Sequence, residues 1–311
     1  MFKLFTQSPT GEDHIVEICD YLEVKTLISK DYEASLNDIL KEFLGPADEE
    51  SDDGIDDYAD KMREKIEMVS GECDRRKLAC GGQYPFELQF EGELLKFNGF
   101  ADPSAYTYVY LLMSTRLNMN DNRIFKEVNG AGLLEFISAE VTRNYLGPLS
   151  EAIVFGTAVP GSFESKVNNL CELTGEGIEF VNHSGGPVDE NDGGLDVLAW
   201  INFSDKKAAK LVAFGQCKTG TTWEDKLSDL DPTAFCKSWL YRQPAFTPIK
   251  MFFISDILVD ERWYKKVVLS GILFDRLRIV DKAPKLFSEE LMSNIITWTL
   301  EAVKVTTDKL N

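Results

Sequence analysis

The chain has 311 residues, 44% of them hydrophobic, and a formal net charge of −19, which leaves room for one large or two ordinary domains and argues against a broad DNA-coating basic surface. Six scattered cysteines with no CxxC pair, and only His14 and His183 to join them, argue against a zinc site and read as a reduced, cytoplasmic protein. No apolar run is long enough for a membrane span, and Met1-Phe2-Lys3-Leu4-Phe5 lacks the long apolar stretch of a signal peptide.

Residues 12–44 read as two helices, with Ile15, Ile18, Tyr21 and Leu22, then Leu36, Ile39, Leu40 and Phe43, at helical spacing, and Gly45-Pro46 as a stop. Residues 48–60 hold eight acids and no base, so 47–60 reads as a solvated acidic linker; without those acids the chain stands at −11. Helical spacing returns over 58–79 and ends at Gly81-Gly82. Phe86–Phe90 and Leu94–Phe97 flank Glu91-Gly92 as a hairpin. Ala105–Leu117 reads as a buried helix and Gly130–Leu146 as a further helix, with Leu133, Leu134, Phe136, Ile137 and Val141 on its apolar side and Gly147-Pro148 as its stop. Residues 1–150 thus form a mostly helical region in which no motif carries chemistry.

From 151 a loop or short strand leads to Ser162, which can cap a helix beginning at Phe163 and ending at Gly175. Ile178–Asn182 reads as a strand and 183–192 as a polar glycine loop. Apolar strands follow at about 195–202 and 210–217. Residues 226–230 and 232–241 read as helical, 249–255 as a buried parallel strand, 262–268 as a short helix, 272–280 as a strand and 288–309 as a long helix. The expected fold of 151–311 is α/β, a mixed central sheet flanked by helices on both faces.

Asp196 stands at the entry of the first central strand, after Gly193-Gly194, and Gln216 and Lys218 end the second. Side chains alternate along a strand, so Gln216 and Lys218 share a face and Cys217 points away. An antiparallel pair joined through Ser204–Lys207 brings Asp196 alongside them. An acid, a neutral oxygen and an amine gathered at one spot suit a divalent metal that activates water against a phosphodiester. G-G-x-D followed about twenty residues later by Q-x-K resembles the restriction-endonuclease-like, or PD-(D/E)xK, nucleases, and most nearly their Mrr-like restriction branch. Phe163-Glu164 at the head of a helix that ends in glycine extends the resemblance, which covers residues 160–280 or so.

The resemblance implies a DNA endonuclease in prokaryotic defence or restriction, with Mg²⁺ or Mn²⁺ held by Asp196, Gln216, the backbone carbonyl of Cys217 and Glu164, and with Lys218 orienting the attacking water. Glu135 and Glu140 are alternatives for the place of Glu164, and Asp192 reads as a turn residue or a second acid at the mouth of the site. Lys206, Lys207, Thr219, Thr221 and Lys226 are candidate DNA contacts. Cys217 has no nearby histidine and sits on an apolar strand, which argues against a nucleophilic thiol. The first 150 residues would sense, regulate or assemble, as a homo-oligomer or beside a helicase or ATPase partner. A nuclease on RNA or branched DNA, and a binding subunit of the same fold without activity, stay open beside this reading.

Overall fold

Short polar caps and left-handed glycines divide the chain into its elements, and the computed structural model describes residues 3–4, 14–44, 52–186, 188, 193–205 and 207–310. They fall into two units, 1–128 with 295–311, and 129–294. The expected boundary at 150 moves to 128, because the helix over 130–146 packs on the sheet that follows it.

In the first unit, α1 (Ile15–Ile28), β1 (Glu33–Ser35), α2 (Leu36–Leu44), α3 (Asp52–Ala79), β2 (Phe86–Gln89), β3 (Leu94–Phe97), α4 (Pro103–Arg116), β4 (Ile124–Phe125) and β5 (Val128–Asn129) follow in order. The expected hairpin is β2 and β3, and β1 adds on the other side of β3 to give an antiparallel sheet. Residues 52–60, expected in a linker, form the start of α3. Residues 47–51 lie outside the described residues. Asp102 caps α4 by accepting from Ser104 N, and Pro103 occupies the first turn, where its missing N–H costs nothing. The core of this unit is partly ionic. Arg76, fully buried, donates to Asp20 Oδ1 and Glu23 Oε1 at 2.7 Å and to Glu72 Oε1 at 2.8 Å, while Arg116 reaches Asp20 Oδ2 at 2.6 Å.

The second unit contains α5 (Gly130–Leu146), β6 (Ser150–Val154), α6 (Phe163–Thr174), β7 (Val197–Ile201), β8 (Val212–Lys218), α7 (Pro232–Trp239), β9 (Ile249–Ile254), α8 (Asp260–Ser270), β10 (Ile272–Phe274), α9 (Arg276–Lys282) and the start of α10 (Glu289–Leu310). Its five-stranded sheet runs β10-β9-β8-β7-β6, antiparallel from β6 to β8 and parallel from β8 to β10. Asn129 caps α5, and Ser162 caps α6 as expected, accepting from Ser165 N, with Gly175 left-handed at the other end. Phe214, Leu198 and Trp200 pack with Phe163, Val167 and Leu170 of α6 and Phe235 of α7 on one face of the sheet. On α5 most of the apolar side is buried, but Phe136 is exposed.

One expected strand is absent, and another ends early at Phe274. Residues 178–182 make only a single bridge, Phe180 to Leu240, and Ile178 adopts a left-handed φ of 74°, which extended backbone excludes. After β10, Asp275 accepts from Arg278 N and starts α9, so 276–280 are helical rather than extended. Among the described residues no helix is long and apolar enough to cross a membrane.

Candidate metal and phosphodiester site

The approach to Asp196 is built from two left-handed glycines. Gly193 and Gly194 have φ of 60° and 78°; a Cβ on the first would meet the Phe235 ring at 2.9 Å, and on the second the Asp229 carbonyl at 3.0 Å. Conformation and space therefore both demand glycine. The chain then enters β7 through fully buried Leu195. Asp196 N donates to Gly215 O at 2.8 Å, and Asp196 O accepts from Phe155 N at 2.7 Å and Gly156 N at 3.0 Å. Its side-chain Oδ2 accepts from Cys217 N at 2.7 Å. The acid is thus clamped between the end of β6 and the end of β8, beside Gln216 and Lys218. A strand residue sends its N–H and C=O to the same side, so the Cys217 carbonyl faces the Asp196 side. The Lys218 carbonyl faces β9, accepting from Ser255 N at 3.3 Å.

A second carboxylate comes from α5. Glu135 is buried, and its Oε2 accepts from Ala158 N at 3.3 Å. A Cβ placed on Gly156 would lie 2.3 Å from Glu135 Oε2 and 2.8 Å from Asp196 Oδ1. Those distances laid end to end keep the two oxygens within about 5.1 Å of each other. Glu140, the other acid considered on this helix, pairs with Arg143 at 2.9 Å. Glu164 stands exposed in the first turn of α6. Glu135 is therefore the helical acid that the structure sets against Asp196. The sequence signal for it was an acid lodged between Leu134 and Ile137 on an apolar helix.

Gln216 is fully buried, and neither its Oε1 nor its Nε2 has a hydrogen-bond partner among the described residues. A buried amide left unpaired costs about 1–3 kcal/mol unless a water or a ligand meets it. Lys218 is half-buried and makes no ion pair among the described residues. The Cys217 thiol is pushed well above its ordinary pKa by burial and by the charges of Asp196 and Glu135, against a smaller opposing pull from Ser138 and Lys218. The same thiol thus senses both carboxylates and the amine, and it is too deeply protonated to serve as a nucleophile.

These donors fit a hard divalent cation. Two oxygens bound to one Mg²⁺ at about 2.0–2.1 Å stand up to about 4.2 Å apart, which the Glu135 and Asp196 pair reaches with small rotations. Among the described residues no group of three or more His, Cys, Asp or Glu side chains is placed to hold a metal, so the remaining ligands would be neutral: the Gln216 amide, the Cys217 carbonyl and water.

The expected DNA contacts scatter. Lys207 lies in the turn between β7 and β8, at the end of the sheet away from Asp196, because a turn joining antiparallel strands is one strand length from the residues at their other ends; five residues of β7 span about 17 Å. Lys207 is exposed and pairs with Asp205 at 3.8 Å. Lys206 and Asp192 lie outside the described residues. Thr219 is half-buried directly after Lys218, Thr221 is buried, and Lys226 is exposed and paired with Asp229 at 3.6 Å. Sequence reasoning passed over Gly156 and Lys166, whose Nζ donates to Gly156 O at 2.7 Å.

No family model, no curated protein and no solved structure matches the chain.

Proposed function

We propose that the second unit is a Mg²⁺- or Mn²⁺-dependent endonuclease that hydrolyses DNA phosphodiester bonds. The observation that carries this reading is the convergence of Asp196 and Glu135 over Gly156, with the Asp196 carboxylate bonded to the backbone of the Gln216–Lys218 strand end. Glu135 and Asp196 would hold the cation, joined by the amide of Gln216 and the carbonyl of Cys217. A bound cation supplies hydroxide near neutral pH and polarises the scissile phosphate. Lys218, with no ion pair of its own among the described residues, orients the attacking water and offsets charge developing on the phosphate.

The mixed sheet flanked by helices, and the order of a helix, the Asp196 strand and the Gln216–Lys218 strand, support the resemblance to the restriction-endonuclease-like fold and its Mrr-like branch. That resemblance favours a cytoplasmic restriction or anti-phage setting, with the first unit as sensor or assembly surface and a helicase or ATPase as partner. The charge distribution is compatible with DNA: residues 129–294 carry 23 acids and 17 bases, so most of the −19 lies on the other unit. Incubation of supercoiled plasmid with Mg²⁺ or Mn²⁺ tests the reading. Nicking by wild type and none by Lys218→Ala is expected; equal nicking by the two removes the assignment. The neutral Gln216 and the presence of two rather than three carboxylates favour one alternative, a binding subunit with a silent site. A chain that binds plasmid but takes up no Mn²⁺ in calorimetry would establish that alternative.

A further inference from the structure

We infer that Lys166 is a positioning residue of this site, holding the Gly156 turn against the two carboxylates; the inference rests on the metal-site reading above. The turn after β6 is the hub of the site. Phe155 N and Gly156 N hold the Asp196 backbone, and Ala158 N holds the Glu135 carboxylate. Lys166 Nζ donates to the Gly156 carbonyl at 2.7 Å. The anchor of this clasp is firm. α6 is fixed by Phe163, Val167 and Leu170 in the core, and Gly161 and Ser162 lead into it. The Phe163-Glu164 motif therefore takes on a different meaning from the one its resemblance implies. Phe163 packs, Glu164 faces solvent, and the charge that reaches the site from this helix is on Lys166. Partners that orient metal ligands from behind change metal affinity by about 10–100-fold when they are removed.

The test uses the full chain as wild type, Lys166→Met, Lys166→Arg and Asp196→Asn. Each is titrated with Mn²⁺ by calorimetry, and amide hydrogen exchange at 156–158 is followed without metal. Lys166→Met is expected to weaken Mn²⁺ binding about 10-fold or more and to speed exchange at the turn. Lys166→Arg is expected to restore both, since a guanidinium also donates to a carbonyl. Wild-type Mn²⁺ affinity or unchanged exchange in Lys166→Met overturns the inference, as does failure of Lys166→Arg to rescue a loss. If wild type and Asp196→Asn are equally silent to Mn²⁺, the metal reading falls instead, and the exchange data alone decide whether Lys166 holds the turn.

Discussion

Gly156→Ala separates the site from the fold. The φ of Gly156 is outside the left-handed region, so its backbone accepts alanine, and at a compatible position that change stabilises by about 0.4–1 kcal/mol through the unfolded chain. The three atoms nearest the new Cβ all belong to carboxylates: Glu135 Oε2 must retreat from 2.3 to about 3.4 Å, and Asp196 Oδ1 from 2.8 to about 3.4 Å. Glu135 then moves by about 1.1 Å and Asp196 by about 0.6 Å, both away from their shared ground. A misplacement of about 1 Å costs on the order of 100-fold in rate. Plasmid nicking in Mn²⁺ should therefore fall about 100-fold while the thermal midpoint stays within a few degrees of wild type. Wild-type nicking by a folded Gly156→Ala protein would refute the proposition that these two carboxylates work together.

Four further outcomes are expected. Glu135→Gln abolishes nicking with little change in melting temperature, whereas Glu164→Gln leaves nicking within about twofold, measured on the same plasmid under saturating Mn²⁺. Lys207→Glu, at the far end of the sheet, changes plasmid affinity by less than about twofold at fixed salt, and a large loss in a gel-shift assay would place DNA across that end. Arg76→Met strips a buried guanidinium from Asp20, Glu23 and Glu72 and destabilises the first unit by about 3–5 kcal/mol in urea unfolding. Burial works to raise the Glu72 carboxyl, but Arg76 and Arg75 outweigh it and hold the group below its ordinary value of 4.5. A depressed folded-state pKa contributes stability above the unfolded value and loses it as pH falls through the folded one. The urea midpoint should then be steady at neutral pH and decline below about 4.5, and a midpoint that rises on acidification would contradict this pairing.

Where local chemistry decides, the sequence was legible. Gly193-Gly194 announced the turn before Asp196, alternation put Gln216 and Lys218 on one face, and Ser162 and Gly175 bounded α6 as expected. What sequence order cannot convey is which end of a strand meets which loop. Lys207 looked close to the site because it connects the two site strands, yet the connection lies at their other ends. Glu135 was one of several acids on helices until the Gly156 turn folded over it. Ile279-Val280 carried β-branched weight toward a strand, but the single cap from Asp275 turned that stretch into a helix. The domain boundary moved for a related reason: α5 has the composition of the helices before it but buries its Glu135 and Ser138 side against the sheet.

The most direct measurement is anomalous diffraction from crystals soaked in Mn²⁺. One peak is expected at coordination distance from both Glu135 Oε2 and Asp196 Oδ1, beside the Gln216 amide, and it should vanish in Asp196→Asn. A peak that avoids this pair, or none in well-ordered wild-type crystals at millimolar Mn²⁺, contradicts a cation shared by the two carboxylates.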